Sequence, residues 1–254
     1  MTAYDLVFKH HRNSDNLGDA VCSPYDHFPK MAERTVAIDL AEPTPKTHAV
    51  IFGGGKIVGG LARCLGDEDF AARDRIAWGV STVQSSRFSL KYWRAFRTLT
   101  LVGTRDWGDD RFEFAPCSTC MSPNFDGPQT EQHDVVLYLH HWKSTGQGVI
   151  RPNGIPVREN NDPNFKDVIS FLASGRTVVS NSYHGVFWGL LLGKRVLSLP
   201  FSNKFSNYRI PPGVGDPKSW TDDLYKAQGS DEMIGLCREA SATFAEKVQA
   251  RIES

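Results

Sequence analysis

Short, almost continuous apolar runs alternate along the chain with longer segments whose apolar residues recur every three or four positions. The short runs read as buried strands, the longer segments as helices with one apolar face. The pattern predicts strands over residues 4–9, 34–40, 48–52, 75–80 and 98–103, helices over 57–72 and 90–97, and a loop running into a helix over 16–28. Residues 104–133, with Pro116, Pro123, Gly127 and Pro128, break the rhythm and read as a connector. The pattern restarts with strands over 134–140, 176–180 and 195–199 and helices over 164–174 and 185–192, followed by a loop-rich stretch over 200–229. A last helix over 231–252 carries apolar residues at 233, 237, 240, 244, 248 and 252, with Ser230 as its cap and Asp231 and Glu232 at the positive end of its dipole. Strands alternating with helices argue for parallel sheets. The expected architecture is therefore α/β, with a Rossmann-like lobe over 1–115, a connector over 116–133, a second Rossmann-like lobe over 134–230, a long C-terminal helix over 231–254, and a cleft between the lobes.

Composition narrows the function classes. Lys plus Arg and Asp plus Glu both count 29 in 254 residues, so no basic excess points to nucleic acid or to an anionic membrane surface. The five cysteines, at 22, 64, 117, 120 and 237, have no spacing that suggests a secreted disulfide framework. The first residues lack the apolar core of a signal peptide, and no stretch reaches the roughly 18 apolar residues of a membrane helix. These features lead to the expectation of a cytoplasmic protein without a transmembrane segment.

Candidate chemistry gathers where strands end, because open α/β sheets bind ligands at their carboxyl edges. Gly53-Gly54-Gly55-Lys56 follows a buried strand and reads either as a tight turn or as a loop that lets backbone approach an anion. Asn16-Leu17-Gly18-Asp19 follows the first strand, where Asn and Asp serve as helix caps or as site residues. Ser180, Asn181 and Ser182 precede an apolar helix, which they either cap or equip for an anion. His184 falls in the first turn of that helix, as a structural histidine or as one that exchanges protons near neutrality. Lys204, in Lys204-Phe205-Ser206-Asn207-Tyr208, is a solvated loop residue or a counter-charge for phosphate. Cys117-x-x-Cys120 is half of a zinc site, and neither His133, His140 and His141 nor Asp109-Asp110 completes a defensible metal pattern, so the pair reads as structural.

The order of these motifs resembles the polysaccharide pyruvyl transferase family over residues 4–210, in particular its exopolysaccharide ketal-pyruvate branch. The likeness rests on Asn16 to Asp19, on Gly53, Gly54 and Gly55, on Arg105 after a mid-chain strand, on Ser180 to Gly185, and on Lys204 to Tyr208. Many family members carry an arginine where this chain has Ser182, which leaves Arg105, Lys204 and Arg209 as candidates for the phosphate-binding cation. The resemblance implies a fold like that of the GT-B glycosyltransferases. It implies His184 and Asp19 as catalytic residues, and phosphoenolpyruvate bound by Asn16, Gly53, Gly54, Gly55, Arg105, Ser180, Ser182 and Lys204. It implies no metal and no cofactor beyond phosphoenolpyruvate as donor substrate. The implied acceptor is a glycan or lipid-linked oligosaccharide, with peripheral association at the inner face of a membrane. A nucleotide-sugar glycosyltransferase and a non-catalytic relative are the alternatives; the helix after His184 lacks the acidic ribose partner usual in the former.

Overall fold

A computed structural model describes residues 4–29, 31–55, 57–65, 72–82, 94 and 96–254. The chain divides into two compact units: Met1–Ser14 with Asp19–Met121 and Cys237–Ser254, and Asp15–Gly18 with Ser122–Leu236.

The first unit is built on a sheet of β1 (Tyr4–His10), β2 (Thr35–Asp39), β3 (Thr47–Gly55), β4 (Asp74–Val80), β5 (Leu101–Thr104) and β6 (Glu113–Phe114). All pairings are parallel, in the order β2-β1-β3-β4-β5-β6. A parallel sheet is covered on both faces, so its central strands are apolar at successive positions rather than alternate ones. The two faces separate by period two. Val7, Val50, Phe52 and Ala77 pack with Leu61 of α2 (Val58–Leu65). Leu6, Phe8, Ile51, Ile76 and Trp78 pack with Phe244 and Val248 of the C-terminal helix.

The second unit holds β7 (His133–Leu139), β8 (Val157–Glu159), β9 (Gly175–Ser180), β10 (Arg195–Ser198) and β11 (Gly213–Val214), all parallel, in the order β11-β10-β9-β7-β8. Its helices are α3 (His141–Gln147), α4 (Phe165–Ala173) and α5 (Tyr183–Leu191). Asn164 caps α4 by accepting the Asp167 N–H, and every residue of α5 is buried, His184 among them, as a helix apolar on all sides requires. Each sheet starts inside, steps to one side and then crosses to the other. The order therefore reverses between β1 and β3 and again between β7 and β9, the Rossmann-like arrangement.

The C-terminal helix α6 spans Glu232–Glu253, its first turn capped by Ser230 Oγ, which accepts the Glu232 N–H at 3.2 Å. Met233, Cys237, Phe244 and Val248 are buried as the periodicity predicts, but Ser241 takes the inward place expected of Ala240. Among the described residues no helix is long and apolar enough to cross a membrane.

Several local expectations change. The strand over 48–52 does not stop at the glycines but runs through them, with Gly53 opposite Trp78 and Gly55 opposite Val80, because glycine amides pair as well as any others. The helix expected within 16–28 is a single turn, α1 (Leu17–Ala20), then a 3₁₀ turn at Pro24–Asp26, since Pro24 has no N–H to continue an α-helix. The interval 104–133 contributes β6, and α3 and β8 arise where no element was expected. Of the helix over 57–72, residues 66–71 lie outside the described residues, as does most of the helix over 90–97.

Candidate functional site

The reversal between β7 and β9 places three strand ends side by side. Beyond Leu139 comes His140, beyond Ser180 come Asn181 and Ser182, and beyond β10 come Phe201 and Lys204. Buried polar groups stitch these ends together. Ser180 Oγ donates to the Tyr138 carbonyl at 2.5 Å and accepts the Ser182 N–H at 3.0 Å. Asn181 Oδ1 accepts the His140 N–H at 2.7 Å, while its Nδ2 donates to Ser144 Oγ at 3.1 Å and Gln147 Oε1 at 2.7 Å. Ser180 and Asn181 thus build the turn. Ser182 is the N-cap of α5 and 2% exposed, but its side chain makes no capping bond.

His184, in the first turn of α5, is 3% exposed, its ring 5.3 Å from that of Trp188 and 5.5 Å from that of Tyr183. A Cβ on Gly18 would fall within the His184 ring. The glycine of the Asn16–Asp19 motif is therefore required by the histidine of the Ser180–Gly185 motif, two sequence signals far apart in the chain. The rest of that segment is held by Asn160, just beyond β8: its carbonyl accepts the Leu17 N–H at 2.7 Å and its Nδ2 donates to Asn16 Oδ1 at 2.8 Å. Asn160 Oδ1 faces His141 Nδ1 at 2.7 Å, and His141 Nε2 lies 3.2 Å from the Asp15 carboxylate.

Lys204 Nζ sits 4.8 Å from the ring centre of Phe201 and 5.2 Å from that of Phe205, so its ammonium is held over aromatic faces. His140 meets the same Phe201 edge-on at 5.9 Å and stacks on His141 at 5.6 Å. Burial, and then the charge of Lys204, push the His140 imidazole down to about 4. Arg209 is half-buried in the same unit.

The first unit collects a different set at its carboxyl edge. Gly54 and Gly55 have φ of 50° and 76°, a region that disfavours any side chain. A Cβ on Gly53 would come 2.6 Å from Pro24 Cδ, and one on Gly54 would overlap the Cys22 side chain. Gly55 lies beside Asp19, whose Oδ1 would be 3.2 Å from a Cβ there. Arg105, 4% exposed, follows β5 and lies close enough to Cys22 and Cys117 to favour their thiolates, although burial drives both thiols upward. Burial likewise raises the Cys120 thiol to about 12, and none of the five cysteines is in a disulfide. Thiols so raised are poor nucleophiles at neutral pH. Asp109 is engaged by Arg111 and Thr82. Among the described residues no group of three or more His, Cys, Asp or Glu is placed to hold a metal ion.

The sequence candidates therefore fall into two sets. Asn16, Ser180, Ser182, His184 and Lys204 share the second unit, and Asp19, Gly53, Gly54, Gly55 and Arg105 share the first. Lys56 lies outside the described residues. Sequence reasoning weighed His140 and His141 only as metal ligands and passed over Asn160 and Asp15. The signal for the histidines was present, since both directly follow the apolar run 135–139 and so fall at a carboxyl strand end. A cavity of about 670 Å³ opens at the other, amino edge of the first sheet, lined by Tyr4, Arg34, Lys46, His48 and Gln249, away from all of these residues. Comparison with family models, curated proteins and solved structures returned no match.

Proposed function

We propose that the chain is a transferase that moves pyruvate from phosphoenolpyruvate to a sugar of a cell-surface glycan or its lipid-linked precursor, forming a cyclic ketal. The observation that carries this reading is the convergence of Lys204, His140, His184 and the N-terminus of α5 on one carboxyl edge, at the point where the strand order reverses. Such an edge suits a small donor that carries both a phosphate and a carboxylate, because a cation and a helix N-terminus each favour negative charge. The motif order that resembles the pyruvyl transferases supports the choice of donor, and each of the two units holds the parallel sheet that a two-lobe α/β fold requires.

In the reaction a proton adds to the methylene carbon of the donor, and a sugar hydroxyl attacks the adjacent cationic carbon and loses its own proton. Phosphate departs with the bridging oxygen, and a second hydroxyl closes the ketal, its proton passing to the released phosphate or to solvent. His184 is the candidate for one of the proton transfers, worth about a hundred- to ten-thousand-fold in rate. Lys204 offsets the charge of the departing phosphate. The chemistry calls for no bound cofactor, and with a lipid-linked acceptor the enzyme would work in the cytoplasm at the inner membrane face.

Calorimetric titration with phosphoenolpyruvate, UDP and UDP-sugars tests the reading, together with phosphate release in the presence of glycan acceptors. The expected result is that phosphoenolpyruvate binds more tightly than any UDP-sugar. Binding of a UDP-sugar without phosphoenolpyruvate would replace this reading with a glycosyltransferase.

A further inference from the structure

A neutral imidazole offers one donor and one acceptor nitrogen, and a charged one offers two donors. In either state a ring nitrogen enclosed without a partner is a cost that the fold carries. His140 Nδ1 is such an atom: it is buried and has no hydrogen-bond partner among the described residues. The backbone around it is fully engaged, with its N–H donated to Asn181 and its carbonyl accepting from the Ser144 N–H at 3.0 Å and from Ser144 Oγ at 2.6 Å. The main chain is therefore fixed, and the ring, stacked on His141 and edge-on to Phe201, leaves Nδ1 without a partner among the described residues. Lys204 packs its ammonium against the same phenyl group.

We propose that His140 and Lys204 form a proton-coupled anion site, in which a phosphate or carboxylate that settles beside Lys204 draws one proton from solvent onto His140. The step forms a single N–H bond on the imidazole with a proton released by water or buffer, and no other bond changes. The groups that face the ring account for the coupling. In the free protein burial opposes the charged ring first, followed by Lys204 from the loop beyond β10 and by His141 and Lys143 from α3; Asp15, from the 15–18 segment, pulls the other way. An anion at Lys204 offsets the largest of the charge effects that oppose the protonated ring. Coupling of this kind is reciprocal: if the anion raises the affinity of the ring for a proton, the proton raises the affinity of the site for the anion by the same factor. Anion affinity is flat above the midpoint of the bound form, rises as pH falls through it, and levels off below the midpoint of the free form.

The inference rests on the reading of this edge as the donor's anion site, so the test uses two probes. Sulfate is the first, because it remains a dianion from pH 4 to pH 8 and adds no titration of its own. The ring signal of His140 is followed by NMR in the full chain and assigned with His140→Gln. The expected midpoint is about 4 without sulfate. With saturating sulfate it moves up by at least about one pH unit, which corresponds to roughly tenfold coupling. In His140→Gln, or in His140→Asn if the first variant folds poorly, sulfate affinity loses its pH dependence over that interval. In Lys204→Met the free midpoint rises and no longer responds to sulfate. A free His140 that titrates at the ordinary 6.5 overturns the proposal. So does a midpoint indifferent to sulfate, or an unchanged pH slope in both His140 variants. Phosphoenolpyruvate is the second probe. Sulfate coupling without phosphoenolpyruvate binding keeps the site and removes the donor, whereas phosphoenolpyruvate binding with an unmoved His140 keeps the donor and removes the site.

Discussion

The two sheets follow one strand plan and reverse at the same step, yet their carboxyl edges are filled differently. In the first, the room left by Gly53 and Gly54 is occupied by the chain's own Pro24 and Cys22. In the second no glycine run is present, and the strand ends carry His140, His184 and Lys204. A glycine-rich strand end means that something approaches the backbone closely. It does not say whether that is a ligand or another part of the same fold, and only the identity of the neighbouring atoms decides.

The sharpest way to break this contrast is Gly54→Ala. With φ at 50° and the Cys22 side chain where the methyl group would go, strain and overpacking together should cost about 3–5 kcal/mol of stability. Chemical denaturation checks it. A stable Gly54→Ala protein with lost donor binding would make the first edge a ligand loop after all. On the second edge, His184→Gln should lower turnover by at least about a hundredfold while donor affinity persists. Because His184 also fills the space over Gly18, melting temperature is measured on the same preparation. A large thermal loss with near-normal turnover in the folded fraction would mark the residue as structural. Lys204→Ala should weaken donor binding by roughly 1.5–3 kcal/mol, the range for a hydrogen bond to a charged group. Unchanged affinity would move the cation to Arg209 or Arg105. The smallest effect is expected inside the second unit, at Tyr138. Its hydroxyl is buried with no partner among the described residues, so Tyr138→Phe should be neutral or stabilising by up to about 1 kcal/mol. A loss above about 1 kcal/mol would reveal a water or ligand bonded there.

Much of the fold was legible because burial writes itself into periodicity. The run from Val135 to Leu139 and that from Val178 to Val179 are apolar since both faces of β7 and β9 are covered, and the 233/237/244/248 spacing named the inward face of α6. Short or polar elements left no such trace. β8 is three half-buried residues, Val157–Glu159, and α3 reads His-Trp-Lys-Ser-Thr-Gly-Gln with only Ser144 buried. Both owe their conformation to neighbours rather than to propensity. The same holds for the candidate site. His184, Ser182 and Lys204 were found because they follow strands, whereas Asn160 was missed because the strand before it was missed.

By itself the sequence determined the two α/β cycles, the long C-terminal helix, and the set of polar residues at strand ends, because each follows from local periodicity and the rule that ligands meet parallel sheets at their carboxyl edges. Which of those residues keep company was decided only by the tertiary structure. Asp15–Gly18 joins the second unit although the chain on either side of it belongs to the first, and there Gly18 admits the His184 ring while Asn16 meets Asn160. Spacing along the chain carries no information about such pairings, since they depend on which strand ends the crossover connections bring together and on which atoms then compete for the same few cubic ångströms.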